Sequence, residues 1–212
     1  MPDAIALARD DLVKIFNKQV KFLIDNHFDL LVKNKAVFFY RLASMAEFIR
    51  ESKEVLNLNF HENCVPCLIV IPHTAISIQT QMHRLYAGFL DWSRGHWEEK
   101  FIRHCYKPRP DVPETPYLIF DVESGKEAGG DIDFAANKFN REDRRGLTGE
   151  EAVALLRVRP DLLTQKSIYL LGSPKDPRGK VLAMDANKGA RLFYSLGTSK
   201  SGFGIPSMMK LS

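Results

Sequence analysis

Apolar residues recur at helical spacing along the N-terminal part of the chain. Between residues 5 and 24 they form a single stripe, and the basic side chains of this segment lie off it. The pattern predicts a helix of about six turns that begins with Asp3 as its N-cap and ends at residues 26–27. A second stripe predicts another helix over 35–52. Two amphipathic helices joined by a short connection normally form an antiparallel pair or cover a sheet.

The following segments are strand-like or ambiguous. Residues 67–71 are apolar without interruption between two prolines, which predicts a buried strand. Residues 74–81 fit a strand or a helix, and both alternatives stay open. Residues 85–90 predict a strand that contains Gly88. The proline-rich stretch 91–116 predicts a long loop, and loops of that length inside a compact domain are uncommon and often functional.

The helix with the clearest sequence signals lies further along the chain. Thr148 with Glu151 three positions later predicts a capping box, and a proline after the last apolar residue ends the helix, which spans about 148–159. Aromatic and β-branched residues over 117–122 predict a strand before it, and 168–171 predicts a short buried strand after it. The predicted order is strand, helix, strand.

Turn-rich segments separate the last strand-like runs. Prolines and a glycine between 168–171 and 181–185 predict a hairpin. The runs 191–196 and 203–205 predict a second hairpin around a glycine-rich loop. Strands joined by tight turns pair in antiparallel fashion, so the sheet is expected to be mostly antiparallel.

The predicted fold class is therefore α+β. An N-terminal amphipathic helix pair packs on a mostly antiparallel sheet, and one further helix, at about 148–159, lies between strands. We interpret residues 1–212 as a single domain, with a helical part at 1–55 and a sheet-containing part at 56–212. A chain of 212 residues buries roughly 70% of the surface that its unfolded form exposes, which is enough for one substantial core.

Composition and charge exclude several classes of protein function. The hydrophobic fraction of 45% and the charged fraction of 26% are ordinary for a soluble globular protein. The net charge of +4 is dispersed, which argues against a nucleic-acid partner. The sequence shows no long apolar run and no signal peptide, so we expect no membrane span. Three cysteines, an odd number, argue against a secreted disulfide framework and favour the cytoplasm.

Cys64 and Cys67 form a C-x-x-C motif. Redox pairs of this kind place the first thiol at a helix N-terminus, which lowers its pKa, but here the motif precedes a strand. Structural zinc needs four ligands. Further candidate ligands are His61, His73, His104 and Cys105. None of them forms a second closely spaced pair, so we interpret the thiols as structural, with zinc and redox chemistry as alternatives.

Asp121 and Glu123 are the candidate catalytic carboxylates. Residues two apart on a strand point to the same face, so the two side chains could jointly hold Mg²⁺. The arrangement resembles the first motif of metal-dependent exonucleases, which need further clustered acids. Asp185, at a strand end, is the only plausible late partner. We therefore interpret Asp121 and Glu123 as solvent-facing residues of a half-exposed strand, and a hydrolase as the alternative.

A glycine-rich segment at 197–204 contains a lysine and several hydroxyl groups. Such loops can bind phosphate through backbone N–H groups. The segment lacks the order of the P-loop and no helix is predicted after it, which favours a plain hairpin loop.

Three segments carry a family resemblance: PYLIFDVESG at 116–125, LTGEEAVALL at 147–156 and YLLGS at 169–173. They resemble the matching segments of a family of bacterial proteins that has no assigned activity. The Cys64/Cys67 pair is not part of the family's pattern, and the C-terminal tail departs from its Trp-rich and Gly-rich ending. The resemblance implies a shared fold and transfers no site residue.

Because no catalytic constellation emerges, the sequence favours a soluble, non-enzymatic domain. We expect it to bind a small molecule or a protein partner through the loops of its sheet, without a metal or a cofactor. Whether the protein is an enzyme stays open, and the alternative is a metal-dependent hydrolase that uses Asp121 and Glu123.

Overall fold

The computed structural model describes residues 4–62, 64–86, 112–125, 132–165, 167–185, 191–195 and 203–210. The helices are α1 (Arg9–Asp25), α2 (Lys35–Glu51), α3 (Lys53–Leu56), α4 (Ile78–Tyr86), α5 (Ile132–Arg141), α6 (Gly149–Val158) and α7 (Asp161–Gln165), with a short 3-10 turn at Phe28–Leu30. The strands are β1 (Ala4–Ala6), β2 (Asn59–His61), β3 (Val65–Val70), β4 (Tyr117–Val122), β5 (Arg144–Gly146), β6 (Ser167–Tyr169), β7 (Val181–Asp185), β8 (Arg191–Ser195), β9 (Phe203–Gly204) and β10 (Ser207–Met209).

The fold class is α+β, as predicted, but the described strands form four small sheets. β1–β2, β3–β4 and β5–β10 are antiparallel pairs, and β8–β7–β6–β9 is a four-stranded sheet. Among the described strands, all pairings are antiparallel except that of β6 with β9. The helices that the sequence did not predict are α3, α5 and α7.

The N-terminal helix pair packs on one face of β3–β4. Leu12 and Phe16 of α1 and Phe38 of α2 lie in one buried cluster with Ile69 and Phe120 of the two strands. The Gln19 side chain of α1 also satisfies the free edge of β3, because it donates to the Cys67 carbonyl at 2.8 Å and accepts from the Ile69 amide at 3.0 Å. These bonds hold α1 against the edge of β3 that does not pair with β4.

The start of the first helix differs from the prediction. Residues Ala4–Ala6 pair with Asn59–His61, and α1 begins only at Arg9, after an N-cap at Ala8 without a capping side chain. Asp3, the predicted N-cap, lies outside the described residues. Strand pairing with a distant segment overrides the local helical pattern here, because backbone bonds to β2 replace those within a helix.

The side chains of the sheet β3–β4 switch from one face to the other near one end of the sheet. Val65 pairs with Val122 at one end of it, and between this pair and the next Pro66 lies opposite Asp121. Pro66 has no N–H for the ladder, and Asp121 adopts a φ of 49°. Val122 would share a face with Phe120 in a regular strand. Instead Phe120 packs with α1 and α2, whereas Val65 and Val122 pack in the cluster around α6.

Helix α6 occupies the face of β3–β4 opposite the N-terminal pair. Its predicted capping box is present: the Glu151 amide donates to Thr148 Oγ1 at 3.4 Å, and the Thr148 amide donates to the Glu151 carboxylate at 2.8 Å. Residues 149–156 are all buried, so the helix is enclosed by other elements rather than packed along one stripe.

The C-terminal strands confirm one predicted hairpin and correct the other. β6 and β7 pair in antiparallel fashion with Ile168 opposite Met184. β8 and β9 do not pair with each other, because β8 lies beside β7 and β9 runs parallel to β6 at the other edge. The predicted second hairpin is therefore wrong.

Two more segments depart from the prediction. The ambiguous stretch 74–81 contains the start of α4, whose helix extends through Tyr86, so the predicted strand at 85–90 is wrong for its first two residues. The remainder of that strand, 87–90, lies outside the described residues. The same holds for most of the proline-rich stretch, 91–111, and for the glycine-rich loop at 196–202.

Candidate functional site

Asp121 is the centre of a buried polar cluster. The residue is fully buried, with an exposed fraction of 0%, so the prediction that it faces solvent is wrong. Its φ of 49° is in the left-handed region, which Asp tolerates better than most residues. Residues held in such conformations concentrate at ligand clamps and active sites, because the surrounding structure must enforce them.

Two residues from distant strands hold the Asp121 carboxylate. The His61 amide donates to Oδ1 at 2.8 Å, and His61 Nδ1 lies 2.7 Å from Oδ2. Arg144 Nη1 also donates to Oδ2, and Arg144 Nη2 donates to the Asp121 carbonyl at 2.5 Å. Arg144 is 1% exposed, so the ion pair is removed from water.

Glu123 and Ser207 complete the cluster on its more open side. Arg144 Nε donates to Ser207 Oγ at 2.9 Å, and Ser207 Oγ donates to Glu123 Oε2 at 3.3 Å. Glu123 Oε1 lies 3.9 Å from Arg144 Nε and 4.0 Å from His61 Nε2. The Glu123 side chain is 23% exposed, in contrast to that of Asp121. We call His61, Asp121, Glu123, Arg144 and Ser207 the Asp121 cluster.

Burial and hydrogen bonding act on the ionisation of the cluster in opposite directions. Burial by itself would raise the pKa of Asp121, but the hydrogen bonds from His61 and Arg144 outweigh it and the pKa lies below its usual value. Cys64 lies beside the cluster, and burial together with the negative charges of Asp121 and Glu123 raises the pKa of its thiol. The thiol is therefore protonated at neutral pH and is not an activated nucleophile.

The two cysteines of the C-x-x-C motif have separate environments. Cys67 is buried in the cluster beneath α1 and α2, where burial raises the pKa of its thiol to about 12. Cys64 is half-buried, and one ligand atom each of His61, Cys64 and Asp121 lie within 4.8 Å of one another. His73 accompanies Glu150 in another cluster, and His104 and Cys105 lie outside the described residues.

A second polar cluster surrounds the start of α6. Arg145 donates to Glu151 through Nη1 at 2.8 Å and Nη2 at 2.5 Å, and Tyr117 OH donates to the same carboxylate at 3.3 Å. His73 Nδ1 lies 2.9 Å from Glu150 Oε1. Burial and both glutamates raise the pKa of Tyr117. The capping residue Glu151 thus also ties β4 and β5 to the helix.

A cavity of about 410 Å³ lies between α1, β3 and the C-terminal end of α6. Its wall is formed by Ile15, Lys18, Gln19, Phe22, Leu23, Cys64, Val65, Pro66, Ile69, Arg157, Val158 and Arg159. The wall is mainly apolar, and all of its charged side chains are basic. We call this space the α1–β3 cavity. Cys64 belongs to its wall and also adjoins the Asp121 cluster.

Arg157 is the most unusual residue of the cavity wall. Its Nη2 donates to the Ile69 carbonyl, and its guanidinium carbon lies 5.6 Å from the centre of the Phe28 ring. The Nη1 atom is buried without a hydrogen-bond partner among the described residues. Burial lowers the pKa of Arg157 to about 9, so the side chain keeps its charge at neutral pH.

Sequence reasoning found only part of these sites. It selected Asp121 and Glu123, which the structure does bring to one guanidinium, and it considered His61 and Cys64 as zinc ligands. It missed Arg144, Ser207 and Arg157, none of which lies in a recognisable motif. Asp185, the suggested partner of Asp121, ends β7 in the four-stranded sheet, whereas Asp121 belongs to β3–β4.

These features define an α+β protein with a buried carboxylate–guanidinium cluster beside a largely apolar, basic cavity. No protein-family model, curated protein or solved structure matches the chain. Within the described ranges, the helices are all too short or too polar to cross a membrane.

Proposed function

We propose that this protein is a non-enzymatic binding domain whose ligand is a small molecule with an apolar body and an anionic group. The ligand occupies the α1–β3 cavity rather than the loops of a sheet. The observation that carries the proposal is Arg157, a charged side chain in an apolar wall with one buried donor that the described chain leaves unpaired. A buried donor without a partner costs about 1–3 kcal/mol, which an acceptor on a ligand would recover.

The size of the cavity fits this class of ligand. Small-molecule pockets have volumes of about 300–1,000 Å³ and are lined mostly by apolar side chains with a few polar groups that fix orientation. The α1–β3 cavity, at about 410 Å³, lies at the lower end of that range. A short acyl chain or a single fused-ring system is therefore a better match than a nucleotide or a peptide.

The charge of the wall selects an anion. Arg159 is paired with Asp161 at 2.7 Å, whereas Lys18 and Arg157 form no ion pair within the described residues. The C-terminal end of α6 contributes a partial negative charge of about half an elementary charge. That is smaller than the two positive charges of Lys18 and Arg157, so the net electrostatic field in the cavity favours an anionic group.

The alternative function, a metal-dependent hydrolase that uses Asp121 and Glu123, has weaker support. Arg144 is bonded to one carboxylate and lies 3.9 Å from the other, so a guanidinium already supplies the positive charge that Mg²⁺ would provide between them. Hydrolysis by clustered metals also needs more acidic ligands than these two.

The proposal extends to the cellular setting and to the family. The ordinary composition and the odd number of cysteines support a soluble protein of the cytoplasm. The likeness at 116–125, 147–156 and 169–173 supports a fold shared with the bacterial family that these segments resemble. In this view the binding domain is an α+β unit without a nucleic-acid partner.

Fluorescence titration with anilinonaphthalene sulfonate, an apolar anion, tests the proposal. We expect saturable binding to one site per chain. Lys18→Gln removes a charge from the cavity wall and should raise Kd about fivefold, since two charges 4 Å apart in water interact by about 1 kcal/mol. Lys14→Gln is the matched control, because Lys14 lies on the same helix outside the cavity and pairs with Asp11 at the surface. Equal affinities for the two variants, or no saturable binding, would refute the proposal.

A further inference from the structure

We propose that His61, Cys64 and Asp121 form a binding site for a divalent transition metal, and that Zn²⁺ is the ion it selects. One ligand atom of each side chain lies within 4.8 Å of the others. Zn–N and Zn–S bonds of about 2.0 and 2.3 Å put tetrahedral ligand atoms roughly 3.5 Å apart. His61 Nδ1 and Asp121 Oδ2 are already 2.7 Å apart, so these two atoms need to separate slightly to share the ion, and the Cys64 sulfur lies within 4.8 Å of the ligand atoms of both residues.

The ligand types determine which metal fits. Imidazole and thiolate favour Zn²⁺ over Mg²⁺ and Ca²⁺, which prefer sites made of oxygen atoms alone. Three protein ligands leave the fourth tetrahedral position for water. A metal was not expected from the sequence, and the ligand set differs from the Cys64/Cys67 pair because Cys67 lies beneath α1 and α2.

The surroundings hold the Asp121 carboxylate in the manner of a metal ligand. Carboxylates that bind metals are oriented by hydrogen bonds from the residues around them. Asp121 accepts such bonds from the His61 amide and from Arg144, and Arg144 is fixed in turn by Ser207. When the metal binds, it replaces the contacts that His61 Nδ1 makes with Asp121 Oδ2 at 2.7 Å and with Arg144 Nη1 at 3.2 Å, while the bonds to Asp121 from the His61 amide and from Arg144 persist.

The charges of the cluster favour a cation. Asp121 and Glu123 carry two negative charges and Arg144 one positive charge, so these three side chains have a net negative charge. Metal binding releases the thiol proton of Cys64 to solvent. His61 is 27% exposed and Cys64 is half-buried, which leaves the ion a path from solvent.

The site is separate from the proposed function, although Cys64 also lines the α1–β3 cavity. Metal binding depends on His61, Cys64 and Asp121, whereas anion binding depends on Lys18 and Arg157. Lys18→Gln should therefore leave metal affinity unchanged, so a failure of one proposal does not imply a failure of the other.

Titration of the metal-free chain with Co²⁺ and Zn²⁺ tests the site. We expect one Co²⁺ per chain, a charge-transfer absorption band in the near ultraviolet that reports a thiolate ligand, and displacement of Co²⁺ by Zn²⁺. Cys64→Ala should abolish the band and weaken Co²⁺ binding by more than about 100-fold. Changing a residue that only supports a metal ligand weakens binding by up to about 100-fold, and loss of the ligand itself should cost more. Cys67→Ala is the matched control and should keep both band and affinity.

Each other outcome decides against the site. Absence of stoichiometric Co²⁺ binding to the unmodified chain would overturn it, and so would a band that survives in Cys64→Ala or disappears in Cys67→Ala. If Cys64→Ala does not fold by circular dichroism, His61→Gln replaces it. That variant should bind Co²⁺ at least about 10-fold more weakly, and unchanged affinity would equally contradict the proposal.

Discussion

At the scale of single residues, the buried pair of Asp121 and Arg144 dominates the energetics of the site. Removing one partner of a buried ion pair leaves an uncompensated charge and costs about 3–5 kcal/mol, whereas an exposed pair contributes about 0–1 kcal/mol. Both side chains of the pair are essentially inaccessible to solvent. The cluster should therefore be a main contributor to the rigidity of β4 and β5.

We expect Arg144→Met to lower the free energy of unfolding by about 3–5 kcal/mol. Arg159→Met is the control, because Arg159 forms a comparable pair with Asp161 whose side chains are 31% and 44% exposed. It should cost at most about 1 kcal/mol. Urea unfolding midpoints at unchanged slope measure both effects. Similar costs for the two variants would mean that Asp121 does not depend on Arg144.

The depressed pKa of Asp121 predicts a specific pH dependence. A carboxyl whose pKa is lower in the folded protein than its usual value of 3.8 stabilises the fold above that value, and this stability is lost as the pH falls through the folded pKa. The difference in unfolding free energy between the unmodified protein and Asp121→Asn should thus be largest above pH 3.8 and should narrow below it. A difference that is independent of pH would contradict this assignment.

Sequence reasoning could select Asp121 but not its environment. The alternation of a regular strand places Asp121 and Glu123 on one face, and the structure does direct both toward Arg144. The left-handed conformation of Asp121 opposite Pro66 was not predictable, because it depends on register across two strands. Arg144 was missed because its contact with Asp121 joins two strands that are distant in sequence, and no local pattern indicates it.

At the scale of elements, helix α6 connects several strands through its capping box and its buried residues. Its N-terminal capping box also binds Arg145 of β5 through Glu151, and its buried residues lie in one hydrophobic cluster with residues of β3, β4, β6 and β7. Local order at this helix start therefore supports several strands. The loss of stability caused by removing the cap should be distinguishable from the loss caused by removing core volume.

Thr148→Ala should cost about 1 kcal/mol, since it removes one acceptor at the helix start while Glu151 keeps its bond to the Thr148 amide. Leu155→Ala should cost more, about 2–5 kcal/mol, because Leu155 is fully buried and truncation leaves a cavity. Chemical denaturation of both variants measures the two costs. The reverse order would show that α6 is not enclosed as the structure has it.

Elements with strong local signals were the ones that sequence predicted well. α2 follows from apolar spacing, α6 follows from its capping box and apolar face, and β6–β7 follows from turn residues. α5 was missed although Ile132, Ala135 and Phe139 recur at helical spacing and are buried. The second hairpin was wrongly predicted because the parallel pairing of β9 with β6 is not encoded in any local turn.

At the scale of the whole molecule, β3–β4 is the layer between two sets of helices. α1 and α2 cover one face and α6 the other, and the change of face at Pro66 and Asp121 redirects the end of β3 toward α6. The α1–β3 cavity opens beside that irregular end. Its wall combines segments that are more than a hundred residues apart, so its existence could not be predicted from motifs.

Calorimetric titration with decanoate and decanol tests the central claim, that the cavity binds an apolar anion, most directly. The two molecules share an apolar chain and differ in charge. We predict that decanoate binds to one site per chain at least about fivefold more tightly than decanol. The reason is that one exposed charge pair contributes about 1 kcal/mol of binding free energy. Arg157→Met should reduce that preference, and Lys18 should retain the remainder. Equal affinity of the two molecules for the unmodified protein, or no binding of decanoate, would contradict the account.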